Sequence, residues 1–214
     1  ITGTGSGNVT VTEASTLNFG ATSVGGQLTA TATTGNITDS GALAITGAAS
    51  FTATANGTDI TLDTGTNNFA STVSFASGGT LANVTVVDTT ALPLAALTLS
   101  NNLSVTAGGA VTQSGALVIP GTTTISASGQ DVTLNTSTNN FTGAVAITGA
   151  NVSVVDAGAL VLGASTVSGT FAATATASGG IANTGALAIT GAATFTAAGG
   201  QSITVANASN NFAS

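Results

Sequence analysis

The chain has no Lys, Arg, His, Cys, Met, Trp or Tyr, and each absence removes a class of function. Without Lys or Arg there is nothing to neutralise phosphates, so nucleic acid is excluded as a partner, and an anionic membrane surface for the same reason. Without Cys there is neither a disulfide framework nor thiol chemistry. No run of 18 apolar residues exists to span a bilayer as a helix. The eight Phe cannot form the aromatic girdles of a transmembrane barrel, so no membrane insertion is expected. Trypsin finds no cleavage site.

Charge is nearly missing too: seven carboxylates and no cation leave a formal net charge of −7 over 214 residues. Gly and Ser are abundant, but disordered chains combine low hydropathy with high charge. Here mean hydropathy is +0.52 and only 3% of residues are charged, so an ordered fold is expected.

What is present is repetition. "DITLDTGTNNF" at Asp59 to Phe69 returns at Asp131 to Phe141 as "DVTLNTSTNNF", and at Ser202 to Phe212 as "SITVANASNNF". "SGALAIT" (Ser40 to Thr46) answers "SGALVIP" (Ser114 to Pro120) and "TGALAIT" (Thr184 to Thr190). "NVTVTE" (Asn8 to Glu13) answers "NVTVVD" (Asn83 to Asp88) and "NVSVVD" (Asn151 to Asp156). Order and period agree at about 71 residues, which divides the chain at roughly 1–74, 75–146 and 147–214. Repeats of this kind denote solenoids or arrays. Ile1-Thr2-Gly3 also matches Ile147-Thr148-Gly149, and Phe212-Ala213-Ser214 matches Phe69-Ala70-Ser71. The text of the end thus runs into the text of the start, as in an excerpt from a longer tandem array.

Within each period the apolar residues recur at a spacing of two, the mark of a strand with one buried face. Gly, Asn, Asp and Ser punctuate these strands as turns require. No segment carries a convincing helical period. Three strand-and-turn units of about eight residues make a triangular coil of about 24. The spacing of 24 from Ile60 to Val84 and from Val73 to Leu97 agrees with this; that of 20 from Leu97 to Leu117 does not. The expected fold is an all-β parallel β-helix, or β-solenoid. About nine coils would span residues 1–214 as one continuous segment, roughly 43 Å at the inter-strand spacing of about 4.8 Å. Its narrow inside would be filled by Val, Ile, Leu and Ala, with little need of aromatics. Recurrent acids such as Glu13, Asp88 and Asp156 would then stack three coils apart, beyond the Debye length of about 8 Å.

The paired Asn (Asn67 and Asn68, Asn139 and Asn140, Asn210 and Asn211) read as corners whose backbone enters the left-handed region. Phe69, Phe141 and Phe212 would turn inward behind them. These nine residues form the structural corner set, and the pairs are too far apart to make a continuous Asn ladder.

The quoted motifs, above all "NVSVVDAGALVLGASTVSG" and "SGGIANTGALAITGAATF", resemble the repeats of giant bacterial exoproteins of the filamentous-haemagglutinin type. These are secreted adhesins and their relatives. The resemblance implies a right-handed parallel β-helix, export to the bacterial cell surface or beyond, a rod-like shape, and no catalytic residues to carry over.

Enzymes on β-helices need clustered carboxylates or a placed base; here the acids are scattered, so no catalytic residue, cofactor-binding residue or cofactor is expected. If Asp59 stacks near Asn83, Asp63 falls near Asp88, a candidate calcium pair, although Ca²⁺ wants six to eight oxygens. Ice binding would need one Thr-x-Thr pair per coil on one flat face, whereas Thr29-Thr31, Thr52-Thr54, Thr174-Thr176 and Thr194-Thr196 are irregularly placed. The N-x-S/T sequon occurs at Asn8, Asn36, Asn56, Asn83, Asn102, Asn135, Asn140, Asn151 and Asn207, a mild excess that leaves glycosylation open. Two readings of different class follow. One is a structural repeat of a secreted, extracellular filament that supplies length, stiffness and protease resistance. The alternative is an adhesin stalk presenting a separate binding domain. Partners would be further copies stacked end to end, and host, cell or matrix surfaces.

Overall fold

The computed structural model describes residues 2–3, 6–177 and 179–213; the repeat matches at Ile1 and Ser214 lie outside the described residues. Every described strand pairs in parallel and none of the described residues is helical, so the chain is an all-β parallel β-solenoid. One sheet of ten strands runs the length of the molecule, one strand per coil, which makes ten coils rather than nine. The difference lies in coil size. Ile60 does stack under Val84, 24 residues on, but Val9 stacks under Leu28 after 19 and Val145 under Leu162 after 17. The spacing of 20 from Leu97 to Leu117 is true register, whereas Val73 pairs with Leu94 rather than Leu97. Turns absorb the variation, because loop length costs little once the flanking strands pair.

The alternation of two works as expected. In Leu28–Ala32, Ala49–Ala53 and Val84–Asp88 the first, third and fifth residues are buried and the others partly or fully exposed. One apolar core runs through all coils, and it uses more aromatic residues than expected. Phe19, Phe51, Phe69, Phe141 and Phe171 are fully buried, and Phe51 meets Phe19 and Phe69 edge-on with centroids 6.2 and 6.0 Å apart. Corners elsewhere are tight. A Cβ on Gly143 would run into the Gly121 carbonyl oxygen of the coil below, so only glycine permits that stacking distance.

Every coil but the fourth has a straight side, usually one five-residue strand, and a bent side of two shorter ones; the fourth has the two strands Val73–Ala76 and Val84–Asp88. In the third coil the straight side is Ala49–Ala53, and the bent side is Ile60–Leu62 with Asn68–Phe69. The fourth coil then lays a single strand, Val84–Asp88, across both short ones: Val84 pairs with Ile60, and Asp88 reaches Phe69. Conversely, Val145–Gly149 of the seventh coil is straight, and the eighth covers it with Leu160–Leu162 and Ser165–Val167. Above each interior NNF line the two sides therefore exchange. One consequence is that equivalent repeat strands do not all share a sheet. Val9–Glu13 and Val152–Asp156 belong to the ten-stranded sheet and Val84–Asp88 to the thirteen-stranded one. Glu13, Asp88 and Asp156 thus do not form the simple three-coil stack expected of them.

Candidate functional site

The most elaborate polar chemistry in the molecule is at these exchanges. The first Asn of each interior pair is fully buried and the second exposed. Asn139 Oδ1 accepts the Leu117 N–H of the coil below at 2.9 Å, while Nδ2 donates to Leu134 O at 3.1 Å and Val155 O at 3.2 Å. The side chain of Gln113 completes the set, with Asn139 Nδ2 donating to its Oε1 at 2.9 Å and its Nε2 donating to Asn139 Oδ1 at 2.7 Å. Asn67 repeats this, accepting Leu43 N–H at 2.8 Å and donating to Asp39 Oδ2 at 2.6 Å and Leu62 O at 3.3 Å. In the tenth coil Asn210 accepts from Leu187 N–H and from Asn183 Nδ2, each at 2.9 Å. The NNF line and the "SGAL" or "TGAL" line are therefore stacking partners one coil apart.

The left-handed corner is a correction: among the described residues no non-glycine has a positive φ. The Asn is needed for its amide. Where two short strands meet at a bend, the ladder leaves N–H and C=O groups facing no backbone partner, and only a side chain that both donates and accepts can satisfy them. Behind it Phe69 and Phe141 turn fully inward, while Phe212, in the last coil, is 39% exposed. Chymotrypsin is accordingly expected to spare the bonds after Phe69 and Phe141 in the folded chain and to cut them once it is unfolded, with peptide mass mapping of early fragments as the check.

The covering coil supplies a second device. Asp88 Oδ1 accepts Phe69 N–H at 3.2 Å and Thr90 N–H at 3.0 Å, and Thr89 N–H bonds Asn67 O at 2.8 Å. Asp156 Oδ1 accepts Gly158 N–H at 2.9 Å, its carboxyl lies beside the Phe141 backbone, and Ala157 N–H bonds Asn139 O at 2.7 Å. Both carboxyls are buried, and in each Oδ2 is enclosed with no hydrogen-bond partner. Burial pushes both above the ordinary value of 3.8, and the hydrogen bonds from neighbouring backbone offset this only in part. Asp88 Oδ1 is taken up by the Phe69 and Thr90 N–H groups. Asp63, the other residue of the candidate calcium pair, is exposed with its N–H on Asp39 Oδ1 at 3.0 Å. Among the described residues no group of three or more His, Cys, Asp or Glu gathers.

A third feature was missed. The polar residue just before a strand passes its side chain up to the next coil, and these links join into a ladder. Asn36 Oδ1 accepts Asp59 N–H; Asp59 Oδ1 accepts Asn83 N–H and Nδ2–H; Asn83 Oδ1 accepts the same two groups of Asn102; and Asn102 Oδ1 accepts Thr122 N–H, all between 2.8 and 3.1 Å. Asp131, Asn151 and Thr170 form a second run. This explains several sequons: the Asn is a ladder rung, and the Ser or Thr two residues on is the next strand's outward position. A shallow groove of about 160 Å³ lies beside Asp131, Asn151 and Thr170, whose polar groups are engaged in the ladder.

The Thr rows are more regular than the sequence suggests. Thr10, Thr29, Ser50 and Ser74 align on one face, beside Thr12, Thr31 and Thr52. The side exchange then interrupts the rows, because the next coil continues the sheet with the short strand Leu92–Leu94 and puts Pro93 at its outward position, after which Thr112, Thr133 and Ser153 resume an outward row.

A family model described as repeats of unknown function (DUF5649) matches the chain three times, over residues 6–76, 81–148 and 149–214. No curated protein and no solved structure matches it.

Proposed function

The chain belongs to the DUF5649 family of repeats, and we propose that it is a structural segment of a secreted bacterial surface filament, supplying length, stiffness and resistance to proteolysis. The observation that carries this reading is the unbroken sheet and core through ten coils, rising roughly 48 Å at about 4.8 Å per coil. Its polar side chains support it too: the buried Asn and Asp and the ladder Asn bond to the next coil instead of converging on a cleft. We assign the segment no catalytic role. Filamentous-haemagglutinin-type exoproteins remain the proposed wider kinship, on the motifs quoted above, and the extracellular surface the proposed location. The test is immunogold labelling of intact producing cells with antibody raised against residues 1–214. Regularly spaced label along surface fibres is expected; label confined to the cell interior would overturn the reading. Label on a shaft that ends in an unlabelled tip would assign the segment to an adhesin stalk.

A further inference from the structure

We propose that the outward faces of the straight sides bind ice. Their hydroxyl groups would hold rows of ordered water and so adsorb the chain to a growing crystal surface. This activity goes beyond the filament reading and does not depend on it.

Each repeat stacks its longer strands directly on one another. The first stack is Val9–Glu13, Leu28–Ala32, Ala49–Ala53 and Val73–Ala76. The second, on the other sheet, is Val84–Asp88, Leu103–Ala107, Thr123–Ser126 and Val145–Gly149. In every strand the second and fourth residues point outward, so each stack is a plate two columns wide and four coils tall. The first plate carries the Thr and Ser rows described above, and Ala76 is the one of its eight positions without a hydroxyl. In the second, Thr85, Ser104 and Thr124 make one column and Thr106, Ser126 and Thr148 the other, with Val87 and Ala146 in the remaining places. In the third repeat Thr174 lies under Thr196, beside Thr194. The pairs look irregular in the sequence because the steps from Thr10 to Thr29, Ser50 and Ser74 are 19, 21 and 24 residues, and because Ser stands in for Thr.

What the plates leave out narrows the ligand. None of the seven carboxylates is on them: Glu13, Asp88 and Asp156 have the parity of the inward residues, and the other four lie on or beside bent sides. Phe51, Phe75 and Phe195 also take inward positions, which leaves no ring on which a sugar could stack. The hydroxyls are uncommitted. Among the described residues of the first two plates Ser74 alone bonds back, to Ala49 O at 3.3 Å. Spacing then selects water. Neighbouring hydroxyls are about 4.8 Å apart between coils and about 6.6 Å apart along a strand. Water joined tetrahedrally by O–H···O bonds of about 2.75 Å places equivalent oxygens about 4.5 Å apart in one direction and about 7.3 Å at right angles. Over the three steps of a plate the misfit between coils sums to about 1 Å, less than half of one such bond. Thr is stiff at its first side-chain torsion, so the grid is set before any water orders on it.

Thermal hysteresis and inhibition of ice recrystallisation, measured on residues 1–214 at micromolar concentration, are expected to stand well above a serum albumin control. T31Y and T124Y each raise a ring from one plate, and each should cut recrystallisation inhibition severalfold; together they should abolish it. T61Y, outward on the bent strand Ile60–Leu62, should leave it unchanged. All three positions face away from the core, so the β-sheet circular dichroism spectrum should match the parent in every variant. A parent chain with neither activity would overturn the proposal, as would a T31Y/T124Y chain as active as the parent or an equal loss in T61Y. Retention on crystalline cellulose or chitin with no effect on ice would overturn it too, and would assign the plates to a polysaccharide.

Discussion

Asn139→Ala is expected to destabilise the protein by about 3–5 kcal/mol, whereas Asn140→Ala, one residue away, should change stability by no more than about 0.5 kcal/mol. The contrast follows from what each side chain touches. Truncating Asn139 strands the Leu117 N–H inside the solenoid, where an unsatisfied group costs about 1–3 kcal/mol, and takes a hydrogen bond from each of the Leu134 and Val155 carbonyls. It also removes the partner of Gln113 and leaves a space that water cannot fill with the same geometry. Asn140 is exposed. Asn67→Ala and Asn68→Ala should repeat the contrast, since Asn67 is buried on Leu43 N–H and Asn68 is exposed. Denaturant midpoints of the four variants, at unchanged denaturant slope, are the measurement. Equal shifts within either pair would mean that the motif matters for its backbone and not for its buried amide.

Acidification from neutral pH is expected to stabilise this protein, the reverse of ordinary acid denaturation. The sign follows from linkage. Asp88 and Asp156 titrate above their unfolded value of 3.8 because burial opposes the charged form. Between the unfolded value and the raised folded one, the folded chain holds protons that the unfolded chain has released, so stability falls as pH rises through that window. The stabilisation is therefore fully present below the unfolded value and lost as pH rises through the folded values. Depressed, salt-bridged carboxylates, the usual origin of acid lability, are impossible in a chain without a cation. Neutralising part of a net charge of −7 acts in the same direction. The two contributions separate experimentally. Salt screens the net charge but not the burial, and D88N/D156N removes the buried carboxyls while keeping Oδ1 as the acceptor for Phe69 and Phe141. Thermal midpoints measured from pH 7 down to pH 4 in high salt should rise for the parent chain and stay flat for the double variant. A midpoint that falls with acidification would refute the assignment.

Much of this architecture was legible in the sequence, for a physical reason. Strict alternation in stretches such as Leu28–Ala32 admits one buried face, and a 71-residue echo admits a stack. The coil number was misjudged because equal coils were assumed, although the 20-residue spacing of Leu97 and Leu117 was already the actual register. The inward Phe69 and Phe141 were readable from the ends of their NNF lines. The reason for the Asn was not, since that residue suits a left-handed corner and a buried amide equally well, and only the stacking of Asn139 on Leu117 separates the two. The buried acids did carry a signal: Asp88 has the same parity as the inward Val84 and Val86. A carboxylate in so charge-poor a chain reads as surface by default, and that expectation masked the parity. The ladder of Asn36, Asp59, Asn83 and Asn102 stayed hidden because its steps of 23, 24 and 19 residues have no common period.

The exchange of straight and bent sides has a mechanical consequence. Tension along the axis pulls parallel to the hydrogen bonds between coils, so a free end would peel rather than shear. Each coil of about 20 residues, once loose, could pay out roughly 70 Å of chain for the few ångströms of rod it gives up. Above an interior NNF line, peeling cannot continue one strand at a time. The single strand Val152–Asp156 is fastened to both halves of the bend beneath it, through Val132 and through Phe141 and Asn139, so both must let go together. A fibre built this way would yield in discrete steps, with a detent roughly every 70 residues.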